Sequence, residues 1–128
     1  MNIRISESDG VPIYLQIVNQ VKYLVASGRL VPGEELPPIR VLAEKLVVNP
    51  NTVARAYREL ELGGLLDTHK GTGTFISDKK PEKKTVERER QLSQMAGEFA
   101  ARAGAAGFSL EELIDRMREL LPHPAARR

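Results

Sequence analysis

Pro50 is the residue that most limits what this chain can become. Before it, Ile39, Leu42, Ala43 and Leu46 recur at helical spacing; after it, Val53, Tyr57 and Leu60 do the same. Without the proline the two stripes would belong to one helix. A proline pushes its predecessor out of the helical region and removes a backbone donor. The break therefore falls in Val47–Val48–Asn49–Pro50, and Asn49 is placed to cap the helix that follows. Two short amphipathic helices joined by a tight turn form the centre of a helix-turn-helix.

The flanking segments complete a recognisable order. Tyr14, Ile17, Val18, Val21, Leu24 and Val25 make one continuous stripe on a first helix, opened by Pro12 and ended by Gly28. Val31 to Pro38, "VPGEELPP", reads as a turn, because its prolines exclude helix. The third helix stops at Gly63–Gly64, and Leu65–His69 and Thr74–Ser77 then read as two strands joined by a glycine-containing loop over 70–73. Asn2–Ile5 alternates in polarity and is expected as an edge strand. Helix, helix, turn, helix and hairpin is the order of a winged helix-turn-helix.

Asp78 to Lys84, "DKKPEKK", is charged and broken by proline, and it marks the expected boundary. Residues 1–78 are read as the winged domain and residues 79–128 as a connector followed by two helices. Leu92, Met95, Phe99, Ala103 and Ala106 share one face of a long alanine-rich helix, which Gly107–Phe108 breaks. Ser109-x-x-Glu112 is a capping box that opens a last helix, striped by Leu110, Leu113, Ile114, Met117, Leu120 and Leu121. The segment after it reads as a frayed tail. The fold class is therefore mainly α with a small β-wing: a winged helix-turn-helix domain followed by a two-helix C-terminal dimerisation tail.

Composition narrows the function classes. At 128 residues and 41% hydrophobic, the chain can bury one modest core. It has no cysteine, which excludes disulfides and thiolate metal sites. No segment has the ~18 consecutive apolar residues of a membrane span, and the first residues lack the apolar run of a signal peptide. The expectation is a cytoplasmic protein with no membrane partner. His69 and His123 have no spaced partners for a metal or a catalytic relay, and "KGTG" leads into no helix as a phosphate-cradling loop would. No metal, no cofactor and no enzymatic activity are expected.

Charge is a weaker guide. The net charge is +2, but residues 1–78 hold 8 Lys/Arg against 9 Asp/Glu and residues 79–128 hold 11 against 8. A nucleic-acid partner would have to meet a local basic surface rather than a basic domain. The third helix offers one. Asn51 and Thr52 fall in its first turn, where free N–H groups and the helix dipole favour a phosphate. Arg55 and Arg58 lie further along, off the apolar face. Short hydrogen-bonding side chains and arginine are the types that match the paired donors and acceptors of base edges. The plainer reading, a solvated helix face, applies to either arginine considered alone. Arg40 near the start of the second helix could hold flanking backbone, and Lys70, Thr72 and the wing glycines can approach a phosphate or a minor groove.

The residues "PGEELPPIRVLAEKLVVNPNTVARAYRELELGGLLDTHKGTGTFI" resemble the DNA-binding domain of the GntR family of bacterial transcription regulators, from about Val11 to Ile76. The resemblance implies a homodimer on a near-palindromic double-stranded DNA operator. It implies phosphate contact at Arg40, base or backbone contacts at Asn49, Asn51 and Thr52, and a minor-groove contact at Lys70 and Gly71. Two positions depart from the family pattern. Ala54 stands where some members use an arginine, and Pro38 stands where a serine usually caps the second helix. The short C-terminal part is similar to that of the YtrA-like subfamily, whose members often control transporter operons, which implies a repressor.

Two helices are too small to enclose a drug-sized pocket, ~300 Å³ or more, within one chain. Their stripes instead predict a symmetric interface through Leu92, Met95, Phe99, Leu110, Leu113, Ile114, Met117 and Leu120. An unknown small-molecule effector could still bind at that interface or between tail and winged domain. The alternative function is a winged-helix protein–protein interaction module without sequence-specific DNA binding, suggested by the net −1 of residues 1–78.

Overall fold

The computed structural model describes residues 1–78 and 86–122. Most of the expected connector and the tail over 123–128, His123 included, lie outside the described residues. The chain divides into two compact units, Met1–Lys79 and Lys80–Arg128.

The first unit is built from three helices and a small sheet: α1 (Ile13–Ala26), β1 (Glu35–Leu36), α2 (Ile39–Leu46), α3 (Pro50–Leu62), β2 (Leu66–His69) and β3 (Gly73–Ile76). The apolar stripes meet in one core. Ile17, Val18 and Val21 of α1, Leu42 and Ala43 of α2, and Val53, Ala56, Tyr57 and Leu60 of α3 are all buried. Leu36, Leu66 and Ile76 close this core from the sheet side. The strands run antiparallel in the order β1-β3-β2, with Glu35 opposite Phe75 and Leu66 opposite Ile76.

β1 was not expected, since "VPGEELPP" reads as a turn. Its two residues pair with β3, and Gly33 and Glu34 extend the ladder, exchanging hydrogen bonds of 2.8 Å with Ile76. A pairing across forty-odd residues of sequence leaves no local periodicity to find. β2 begins one residue later than expected and ends at His69 as expected, and β3 begins and ends one residue earlier than expected.

The expected edge strand at Asn2–Ile5 is not formed. Side chains of α1 take the place of a partner strand. Gln20 Oε1 accepts from the Arg4 N–H at 2.9 Å, and Gln20 Nε2 donates to the Arg4 carbonyl at 2.6 Å. Gln16, itself buried, accepts from the Ser6 N–H at 2.8 Å and donates to the carbonyls of Ser6 and Val11 at 2.7 and 2.8 Å. Each glutamine amide thus satisfies backbone groups as a ladder would, and Ile3 is carried into the core.

The second unit holds α4 (Val86–Ala105) and α5 (Leu110–Leu120), separated by Gly107 with φ 90°. The capping box is complete: the Ser109 N–H donates to Glu112 Oε1 at 3.0 Å, and the Glu112 N–H donates to Ser109 Oγ at 3.1 Å. The hydrogen bond from the Ser109 backbone, and then that of its side chain, hold the Glu112 carboxyl below the usual carboxylate range. Leu92, Met95, Phe99, Leu110, Ile114, Met117 and Leu120 are all exposed, whereas Leu113 is half-buried. Among the described residues no helix is long and apolar enough to cross a membrane.

The two glutamine clamps differ in burial, and their removal separates accordingly. Gln16→Ala is expected to destabilise the chain by about 2–3 kcal/mol, because buried backbone groups lose their partners. Gln20→Ala, at a solvent-accessible clamp, is expected to cost about 1 kcal/mol or less. Urea unfolding of both variants followed by circular dichroism checks the difference.

Candidate nucleic-acid interface

The order of α2 and α3 depends on how one helix stops and the next starts. Val47 terminates α2 with φ 56° and ψ 52°, a left-handed conformation that turns the chain sharply. Asn49 then caps α3: its Oδ1 accepts from the Asn51 N–H at 2.8 Å, and Pro50 occupies the first turn, where a missing N–H loses nothing. As the departure at Pro38 implied, α2 has no side-chain cap.

Burying Val53, Ala56, Tyr57 and Leu60 leaves the other face of α3 outward. Asn51, Arg55 and Arg58 are exposed there, and Thr52 and Ala54 are half-buried. Tyr57 fixes the rotation of the helix. Its hydroxyl donates to the Pro37 carbonyl at 2.7 Å, and burial raises its pKa well above the ordinary phenol value. The hydroxyl therefore remains a donor throughout the physiological range, tying α3 to the entry of α2.

Arg55 is not simply outward. Its guanidinium lies over the ring of Tyr14, 3.8 Å from the centroid. Tyr14 was read only as part of the apolar stripe of α1, and it is half-buried. Arg55 forms no ion pair with Glu59, one turn along. Stacking leaves the guanidinium edge available for hydrogen bonds while restricting its direction. Ile13, Tyr14, Asn49, Asn51, Thr52 and Arg55 border one open notch of about 440 Å³, so the start of α1 adjoins the start of α3. The sequence signal for this contact is no more than an aromatic at the start of one stripe and an arginine off another.

Arg40 is exposed in the first turn of α2, and the exposed Asn49 lies with it on a second concavity. Lys70, Gly71 and Thr72 form the exposed tip between β2 and β3. Gly71 has φ 77°, and the Thr72 N–H closes the turn onto the His69 carbonyl at 3.0 Å. His69 packs against Phe75, with ring centroids 5.4 Å apart, which makes it part of the wing's structure. At the base of the turn, a Cβ on Gly73 would stand 2.7 Å from Glu35 Oε2, so a side chain there would displace that glutamate. Among the described residues, none of Arg40, Arg55, Arg58 and Lys70 is in an ion pair. Their charges remain available to an external anion, although the unit as a whole is not basic.

Comparison with known proteins places this geometry. Residues 13–76 match the model of "Bacterial regulatory proteins, gntR family". The chain is 36% identical over 118 residues to the HTH-type transcriptional repressor YtrA of Bacillus subtilis (strain 168), covering 92% of this chain and 91% of the relative. A crystal structure described as a transcriptional antiterminator from Listeria monocytogenes EGD-e superposes with a TM-score of 0.70 at 31% identity, covering 96% of this chain and 95% of that one. The DNA-binding domain of AraR, crystallised in complex with operator ORX1, superposes with a TM-score of 0.51 at 26% identity, covering 60% and 92% of the two chains.

The Tyr14–Arg55 stack can be measured apart from any partner. In a double-mutant cycle of Tyr14→Leu and Arg55→Gln, urea unfolding is expected to give a coupling of about 0.5–1 kcal/mol. Tyr14→Phe should keep that coupling. A coupling of zero would mean that the ring does not hold the guanidinium.

Proposed function

The chain belongs to the gntR family of bacterial regulatory proteins and is a DNA-binding transcription regulator; from that premise we propose that it acts in the cytoplasm as a homodimeric repressor on a near-palindromic operator. One observation carries the proposal. The face of α3 left outward by its own core packing presents Asn51, Thr52, Arg55 and Arg58 together, and Arg40 of α2 borders the turn that leads into it. In this reading α3 lies in the major groove with its first turn against base edges. Asn49 and Asn51 sit at the contact between turn and groove. Arg40 neutralises a phosphate, and Lys70, Gly71 and Thr72 approach the minor groove beside it.

The tail supplies the second half of the proposal. Leu92, Met95 and Phe99 of α4 and Leu110, Ile114, Met117 and Leu120 of α5 remain exposed on helices of one chain, and large apolar side chains left exposed in such number support an interface. A second copy is its occupant, because each half of a palindromic operator needs one α3, with successive major grooves ~34 Å apart. The notch between α4 and α5, bordered by Ala103, Phe108, Glu112, Leu113 and Arg116, measures about 240 Å³. That is below the ~300 Å³ at which drug-sized ligand sites begin.

Fluorescence anisotropy on the chain's own upstream DNA and on scrambled DNA, at two salt concentrations, tests the roles. Arg40→Ala is expected to weaken binding to every sequence and to lower the salt slope by about 1. Asn51→Ala is expected to relax sequence preference instead. Equal loss for all sequences in both variants would refute the division of roles. Phe99→Glu with Ile114→Glu is expected to yield monomers by sedimentation and to lower operator affinity by about a hundredfold. A variant still dimeric would remove the tail from the interface.

A further inference from the structure

Val47 is the one residue other than glycine with positive φ among the described residues. The left-handed region is costly for any L-residue and most so for a β-branched one. Glycine at this position would end α2 in the same way without steric conflict. The hydrogen bonds that close α2 onto the Ala43 and Glu44 carbonyls would form equally with glycine here, and packing gives the valine side chain no compensation, since Val47 is 88% exposed. A strained backbone that carries an apolar side chain into solvent indicates a neighbour outside the chain.

Its surroundings identify the chemistry of that neighbour. Val47 shares a shallow concavity of about 480 Å³ with Arg40, Glu44, Asn49 and Pro50. These residues connect the proposed phosphate contact to the start of the reading helix. The Glu44 carboxylate offsets Arg40 on the same surface, so the patch around Val47 carries no net charge and suits an apolar group. In a major groove the apolar group presented by base edges is the C5-methyl of thymine.

We propose that Val47 is a specificity-determining residue that makes apolar contact with the C5-methyl of one thymine in each operator half-site. The assignment rests on α3 lying in the major groove, as proposed above. It adds a contact from the turn that neither Asn49 nor Asn51 can make, because both have only polar side-chain ends. It also accounts for a strain that glycine at this position would not carry.

The probe is the duplex that the full chain enriches from a random-sequence pool. Each thymine in turn is replaced by deoxyuridine, which removes the methyl and leaves the hydrogen-bonding edges unchanged. Affinities are read by anisotropy for the wild type, Val47→Gly and Val47→Asn, the last two chosen because both residues tolerate positive φ. Thermal melting of both variants is expected at or above that of the wild type. At one thymine per half-site, the replacement is expected to weaken the wild type about threefold to fivefold, the worth of one buried methyl. Both variants should be indifferent to the same replacement. Deoxyuridine sensitivity that is absent, or equal in all three proteins, would overturn the contact while leaving the proposed function intact. Failure to enrich any sequence from the pool would overturn both.

Discussion

The inability of α3 to continue α2 governs what the first unit presents outward. Val47 leaves the right-handed region, Asn49 accepts from the Asn51 N–H, and Pro50 begins a new helix whose direction is then free to differ. An asparagine cap contributes about 1 kcal/mol, a small amount beside the burial of Val53, Tyr57 and Leu60, each 5% exposed or less. The cap sets where the helix starts, and the burial sets how it is rotated. Together they determine which residues face away. Tyr57 belongs to both constraints, since its ring is in the core and its hydroxyl is held by the Pro37 carbonyl.

Charge has to be read at the same scale as this geometry. A unit without a net basic charge gains little from long-range attraction, which is screened beyond ~10 Å at ordinary ionic strength. On the proposed interface Arg40, Arg55, Arg58 and Lys70 act at contact distance instead. Held over Tyr14, Arg55 loses less rotamer freedom when it meets a partner than a free arginine would. Preorganisation of this kind favours discrimination between sequences over tight binding to any polyanion. Cations left out of ion pairs serve the same end, because an arginine already paired with Glu59 would have to break that pair before reading a base.

Much of this was legible from residue order. The stripe of α1, the cap at Asn49, the hairpin and the Ser109–Glu112 capping box all express local rules: periodicity, proline stereochemistry and short-range hydrogen bonding. The family resemblance carried the site assignment further, to Arg40 and the wing tip, than periodicity alone could. What sequence order did not disclose involves partners distant in the chain. The pairing of β1 with β3, the replacement of an N-terminal strand by the amides of Gln16 and Gln20, and the Tyr14–Arg55 stack each require the folded core before the partners meet. Asn2–Ile5 shows the limit well. Its alternation is real, and Ile3 is buried as alternation requires, but glutamine side chains satisfied its backbone where a strand was expected. Val47 shows a second limit. Periodicity could mark where α2 stops, yet a valine gives no sign that the stop is left-handed, because that conformation is one it disfavours.

In the proposed dimer the tail matters to recognition for a reason that lies outside the tail. A single α3 reaches only a few base edges, and each good contact discriminates by about 1–3 kcal/mol. That is too little to separate one site from the ~10⁶–10⁹ competing sites of a genome. Coupling two such helices makes the second binding event intramolecular, so discrimination is applied twice against one palindromic site. The exposed apolar faces of α4 and α5, a liability on a solitary chain, then become the source of specificity. The strength of that association sets the limit on control. An interface that is too tight would leave the operator occupied under all conditions, whereas one of moderate stability lets concentration or a bound molecule decide occupancy. Two helices whose notch among the described residues measures about 240 Å³ suit the second regime, in which the proposed regulation acts on assembly rather than on the reading helix.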